Sequence, residues 1–205
     1  MTASHRGLIV DFGGVVTTDF YAALRAFGVR EGLGANAVEH ILRDTDEGRS
    51  ALAGVEDGSL PQREYERILA RLLGVDSTGL LGRMLADLEP CPPVLDLIGR
   101  ARAAGIATAV LSNSWGTGEY DPYDGYDLEE RFDAVVISDQ VGLRKPDPQI
   151  YLLAAEKIGT DARECVFVDD TAHNLPPAEK LGMATVHFSD VSTGIAKIEK
   201  LLRLG

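Results

Sequence analysis

The stretch Gly7-Leu8-Ile9-Val10-Asp11-Phe12-Gly13-Gly14-Val15-Val16 decides the fold. A strand buried on both faces of a parallel sheet reads as a short apolar run, and Leu8-Ile9-Val10 is such a run within the strand expected over 8–12. Asp11 stands at its carboxyl end, just before a glycine turn. Open α/β sheets bind their ligands outside the carboxyl ends of the strands. Asp11 is therefore a candidate nucleophile or metal ligand, and its partners should come from other strand ends.

Four more strands are expected, at 106–111, 134–137, 165–169 and 184–187. Helical patterns precede them: 94–104, stopped by Gly105; 146–158, opened by a proline; and 175–181, stopped by Gly182. Strands alternating with helices predict a parallel sheet with right-handed crossovers. The segment between the first and second strands is far too long for one crossover. It reads as helices over 20–30, 35–43, 61–73 and 80–88, punctuated by Gly32, Gly34, Gly54, Gly58 and Gly74. The fold class is α/β: a three-layer Rossmann-like core with a parallel five-stranded sheet, plus an inserted helical cap. Residues 1–16 and 90–205 form the discontinuous core and 17–89 the cap. A cap inserted there would cover the strand ends as a lid.

The 205 residues suffice for one domain with an insertion, and 45% hydrophobic content predicts a packed core. The net charge of −12 argues against nucleic acid and anionic membranes as partners. Cys91 and Cys165 are far apart among apolar neighbours, which fits a reduced, cytoplasmic protein better than a disulfide scaffold. The polar stretch 1–6 and the early arrival of Asp11 do not suit a signal peptide. Oligomeric state has no signature.

Polar groups recur at the other strand ends. The second strand runs into Ser112-Asn113-Ser114. Gly142-Leu143-Arg144-Lys145-Pro146-Asp147-Pro148 follows the third, and the fourth ends Asp169-Asp170-Thr171. A parallel sheet brings these groups together. Phosphoryl transfer to an aspartate needs such a set. A divalent cation between acidic groups offsets the repulsion between carboxylate and phosphate. A lysine, a hydroxyl and backbone amides hold the phosphoryl oxygens. Magnesium suits carboxylates and carbonyls.

Taken in order, these segments resemble the four motifs of the haloacid dehalogenase-like (HAD) hydrolase superfamily, in the subgroup with a helical cap after the first motif. Asp11-Phe12-Gly13-Gly14-Val15 resembles motif one, Leu111-Ser112-Asn113 motif two, Lys145 in its Gly-Leu-Arg-Lys-Pro-Asp-Pro setting motif three, and Asp169–Asn174 motif four. The resemblance implies a magnesium-dependent phosphatase acting on a small phosphorylated metabolite. In it Asp11 forms an aspartyl-phosphate, Lys145 bridges nucleophile and phosphoryl group, and Ser112 with the Asn113 amide binds phosphoryl oxygens. Asp11, the Gly13 carbonyl, Asp169 and Asp170 would serve Mg2+. A response-regulator receiver domain has similar groups, but its acidic pair comes first and it lacks a helical insertion.

One position departs from the pattern. Most phosphatases of this family carry an acid–base aspartate two residues after the nucleophile, where this chain has Gly13. A group of that kind contributes about 10²–10⁴-fold. Three consequences are open: a substrate with a good leaving group, another acid (Asp19 and His173 are the candidates), or a catalytically weak or non-catalytic binding protein. The family's carbon–halogen hydrolases also lack that aspartate, but they lack the acidic pair that Asp169-Asp170 supplies here. His173 is expected mainly to order its loop, 115–127 to be a surface loop, and the charged run 63–71 to be a solvated helix face.

Overall fold

The computed structural model describes residues 5–204; residues 1–4 and Gly205, including most of the polar stretch at 1–6, lie outside the described residues. Five strands, β1 (Gly7–Val10), β2 (Ala107–Ser112), β3 (Ala134–Ile137), β4 (Cys165–Asp169) and β5 (Ala184–His187), form one sheet in the order β3-β2-β1-β4-β5. All neighbours are parallel. The chain winds outward from β1 through β2 to β3, then returns to β4 on the other side of β1. The reversal falls between β1 and β4, so the carboxyl ends of these two strands flank the crevice. Ladder pairing of β1 ends at Val10, one residue short of Asp11, although the Asp11 amide still donates to the Val168 carbonyl at 2.8 Å.

Alternation along β1 splits the core into two layers. Leu8 and Val10 face one side with Val94, Leu97 and Ile98 of α6 (Pro92–Ala103) and Ile198 and Leu202 of α11 (Val191–Leu202). Ile9 faces the other with Ile150, Tyr151 and Ala154 of α9 (Pro148–Lys157) and Leu175 and Ala178 of α10 (Leu175–Lys180). The proline that opens α9 is Pro148, capped by Asp147, rather than Pro146. The helix α11 has no counterpart among the expected elements. Its signals are Asp190, which caps it through the Thr193 amide at 2.9 Å, and Ile195, Ile198 and Leu202 at helical spacing.

Between β1 and α6 lie α1 (Phe20–Arg30), α2 (Ala37–Asp44), α3 (Asp46–Glu56), α4 (Gln62–Leu73) and α5 (Leu80–Met84). They pack on their own apolar cluster, with Leu24, Phe27, Tyr65, Leu69 and Leu81 among its buried members. The chain enters and leaves this helical insertion side by side: Thr17 bridges Pro90, and the Cys91 amide donates to the Val16 carbonyl at 2.8 Å. Two short helices, α7 (Leu128–Arg131) and α8 (Ser138–Val141), flank β3. No helix among the described residues is long and apolar enough to cross a membrane. Cys91 and Cys165 are buried free thiols.

The helix α3 is an addition to the expected elements. Gly54, read as a break, lies inside it. Gly48 is likewise internal, and a Cβ there would meet the Ile41 carbonyl at 2.0 Å, so glycine is what lets α3 cross against the end of α2. The signal was present in Thr45-Asp46-Glu47: Thr45 Oγ1 caps the Gly48 amide at 3.0 Å, and the acidic residues suit a first turn.

Two further expectations fail. The run 63–71 is not a solvated face throughout, because Glu66 is buried and accepts from the Leu81 amide at 3.0 Å, capping α5. The segment 115–127 is not a plain surface loop. Trp115 is buried in the helical cluster, and the rings of Tyr123 and Tyr126 stand edge-on to Phe12 at 4.7 and 4.8 Å.

Replacing Ile9, fully buried on the central strand, by Ala should cost about 2–5 kcal/mol of stability in urea unfolding. A loss under about 1 kcal/mol would contradict the packing described.

Candidate active site

The sheet brings Asp11, Ser112 and Asp169 to one edge, and the loop before α9 adds Lys145. The Lys145 ammonium is the hub. Nζ lies 2.7 Å from Asp11 Oδ1 and 2.7 Å from Asp169 Oδ2, with the lysine 1% exposed and Asp169 fully buried. Burial alone would lower the lysine pKa, but the two carboxylates raise it above its ordinary value, so it stays charged. Asp11 Oδ1 also accepts from the Phe12 amide at 2.7 Å. Both of these contacts fall on Oδ1, and Oδ2 takes no hydrogen bond from the described residues. Asp169 is held all round: Oδ1 accepts from the Thr171 amide at 2.8 Å, and Asn174 Nδ2 lies 3.1 Å from both oxygens. Tyr151 in turn donates to the Asn174 carbonyl at 2.7 Å.

Asp170 completes an acidic triad in which one carboxylate oxygen each from Asp11, Asp169 and Asp170 lie within 4.8 Å of one another. Burial, followed by the charge of Asp169, pushes Asp170 up to about 6. Burial also raises Asp11 well above its ordinary value, Lys145 opposes this, and the other two carboxylates add to it. Three carboxylates sharing one lysine are short of positive charge, and a hard divalent cation with oxygen donors suits them. Gly14, at φ 77°, closes the turn beneath Asp170. A Cβ there would meet Asp170 Oδ2 at 2.4 Å, so only glycine fits both the backbone and the carboxylate.

Ser112 Oγ accepts from Tyr123 Oη at 2.9 Å and donates only a long bond, 3.5 Å, to the Asn113 carbonyl, which a better acceptor in the cavity can replace. The Asn113 side chain is committed to the lysine loop: Oδ1 accepts from the Lys145 amide at 2.8 Å and Nδ2 donates to the Lys145 carbonyl at 3.0 Å. A cavity of about 220 Å³ covers these groups, with Phe20, Tyr21, Leu52, Leu85 and Trp115 lining the side away from the sheet.

A model of the haloacid dehalogenase-like hydrolases matches residues 5–182. The chain belongs to that family. Among relatives of this HAD-like hydrolase, bifunctional epoxide hydrolase 2 of Sus scrofa is 33% identical over 126 residues, covering 60% of this chain and 23% of its own. The chain thus spans about a quarter of that relative's length. Glyceraldehyde 3-phosphate phosphatase of Methanopyrus kandleri is 27% identical over 143 residues, 65% of this chain and 61% of its own. The (S)-2-haloacid dehalogenase 4A of Burkholderia cepacia is 28% identical over 117 residues, 56% and 51% of the two chains. In structure, a HAD-like family hydrolase of Porphyromonas gingivalis superposes with TM-score 0.73 at 24% identity over 98% of both chains. A HAD family enzyme of Bacteroides thetaiotaomicron, in complex with magnesium and inorganic phosphate, superposes with TM-score 0.64 at 22% identity over 88% and 92%.

In this hydrolase, the two substitute acids considered from sequence fare differently. Asp19 caps α1 through the Ala22 amide at 2.9 Å and pairs with Arg25 at 3.3 Å, outside the Asp11 cavity. Its charge still acts on Asp170, which it adjoins from the other side. His173 lines the cavity but is exposed and makes no hydrogen bond among the described residues, so it does not order its loop that way. Sequence reasoning missed Glu56, the last residue of α3, which is buried, lines the same cavity, and pairs with Arg144 at 3.2 Å. It missed Tyr123 as well, whose chemistry depends on a long loop folding back.

Replacing Lys145 by Met strands two carboxylates without their cation and should cost about 3–5 kcal/mol near neutral pH. Without the ammonium that opposes the effect of burial, Asp11 holds its proton to still higher pH in the folded than in the unfolded chain, so the variant's stability falls as pH rises. Urea unfolding at about pH 5 and about pH 8 should show the larger deficit at the higher pH. An equal deficit at both would contradict the buried triad.

Proposed function

We propose that this HAD-like hydrolase is a magnesium-dependent phosphatase acting on a small phosphorylated metabolite through an aspartyl-phosphate on Asp11. The observation that carries the reading is the acidic triad with Lys145 between two of its members. We further propose the division into a core of residues 1–16 and 90–205 and a cap of 17–89, hinged where Thr17 meets Pro90.

The hydrogen bonds support the following residue roles. Lys145 and the Phe12 amide fix Asp11 through Oδ1, so the free Oδ2 attacks phosphorus. The Ser112 hydroxyl, oriented by Tyr123, donates to a phosphoryl oxygen beside the Asn113 backbone amide. Asn113, through its side chain, holds the Lys145 backbone in place. Asp11, Asp170 and the Gly13 carbonyl would hold Mg2+. Asp169, whose oxygens already accept from Lys145, Thr171 and Asn174, would act by holding Lys145 and metal-bound water. Bound there, the ion would offset the charge between carboxylate and phosphate.

Two observations favour a second reading, a carbon–halogen hydrolase. Position 13 carries no side chain, and the cavity's far wall is apolar. That reaction requires Asp11 as nucleophile but no metal.

The expected outcome is that wild-type protein turns over 4-nitrophenyl phosphate with magnesium, that chelator abolishes it, and that Asp11→Asn lowers it by at least about 10³-fold. Retained activity in Asp11→Asn contradicts the nucleophile. Chelator-resistant halide release from a 2-haloacid, without phosphate release, favours the second reading.

Because Asp170 sits near 6 and must lose its proton to bind metal, magnesium affinity by calorimetry should rise as pH passes through that value and then level off. Affinity that is flat across it would contradict Asp170 as a ligand.

A further inference from the structure

Glu56 reaches the Asp11 cavity as the last residue of α3, midway along the helical insertion, and nothing in the phosphatase reading uses it. Its burial has a definite geometry. Oε2 takes both contacts, Arg144 Nε at 3.2 Å and Asn113 Nδ2 at 3.4 Å, while Oε1 accepts no hydrogen bond from the described residues. Arg144 and Asn113 are the immediate neighbours of Lys145 and Ser112, so the carboxyl is anchored beside the groups that would receive the phosphoryl moiety.

An alcohol cannot leave phosphorus as a bare alkoxide at neutral pH without a proton, and Gly13 has none to give. The cavity offers few donors. Lys145 is committed between two carboxylates, and Tyr123 donates to Ser112 while burial raises its pKa above the ordinary tyrosine value. Arg144 stays charged at any working pH. His173 is exposed to water.

We propose, resting on the phosphatase reading, that Glu56 is the cap-borne general acid and base of this enzyme. As Asp11 Oδ2 forms its bond to phosphorus, the phosphorus–oxygen bond of the ester breaks with its electron pair on the leaving oxygen, and the Glu56 proton passes to that oxygen. The resulting Glu56 carboxylate then takes a proton from the water that attacks the aspartyl-phosphate. The phosphorus–Asp11 bond breaks, inorganic phosphate leaves, and Asp11 and protonated Glu56 are regenerated.

Protonation before the reaction is consistent with the surroundings. Burial, opposed by Arg144 and Lys145 and aided by Asp57, pushes Glu56 up to about 7. The other titratable group facing it is Tyr65 of α4, whose own pKa Glu56 helps to raise. A carboxyl in that range suits proton transfer in both directions.

The test compares two substrates in one preparation, so that the fraction of folded protein cancels. Glu56→Gln should lower kcat/KM for a phosphorylated alkyl alcohol by about 10²-fold or more, and for 4-nitrophenyl phosphate, whose phenolate leaves unaided, by less than about 3-fold. The alkaline limb of the alkyl-ester profile near pH 7 should also disappear. Equal losses on both substrates would make Glu56 a positioning residue for Arg144 and overturn the proposal. So would a limb that survives in Glu56→Gln but vanishes in His173→Asn. Wild-type protein that hydrolyses neither ester would overturn the phosphatase reading itself, and this proposal with it. Aryl turnover with a wild-type alkyl rate no higher than that of Glu56→Gln would overturn this proposal alone.

Discussion

A lysine ammonium shut away from water between two carboxylates fixes the geometry of this molecule's working edge. Lys145 touches Asp11 at the end of β1 and Asp169 at the end of β4, the two strands at which the sheet's winding reverses. Isolated, each charge would be costly to bury. Paired and hydrogen-bonded, they lock three separate chain segments together. The lock extends outward through Thr171, Asn174 and Tyr151 on one side, and through Asn113 to the lysine backbone on the other. The nucleophile candidate is thus held by a rigid frame while one of its oxygens remains free.

The pairing does not balance the site. Asp170 brings a third carboxylate into a region served by one lysine, and Gly14 is what allows it to come so close. Two of the three acids have raised pKa values, so the metal-free site tends to hold protons. Cation binding and proton release are linked there. The helical insertion acts on the same edge from above: it supplies apolar walls and one carboxyl, Glu56, tied to the core through Arg144.

The sheet was legible because buried parallel strands announce themselves as apolar runs, and because a polar residue closing such a run has few places to be. Asp11, Asp169 and Asp170 are of this kind, and Lys145 followed from the loop that must return toward them. The insertion was legible as helical from its length, yet α3 was not, because Gly48 and Gly54 look like breaks when they are points of close approach. Glu56 was hidden for a stronger reason. Its partners, Asn113 and Arg144, lie far away in sequence, and only the docking of one helix on the sheet edge brings them together. Tyr123 was hidden likewise: a Gly-, Tyr- and Asp-rich segment reads as loop, and its ring packing on Phe12 has no local signature.

Covalent phosphorylation of Asp11 is the step on which the proposed phosphatase reading depends. Its most direct test is acid quenching during turnover of an aryl phosphate with magnesium, followed by mass spectrometry of the peptide that carries Asp11. The expected result is a peptide heavier by one phosphoryl group, labile to hydroxylamine and absent when chelator replaces magnesium. An unmodified Asp11 peptide from enzyme quenched during turnover, under conditions where a known aspartyl-phosphate standard survives the work-up, would contradict it.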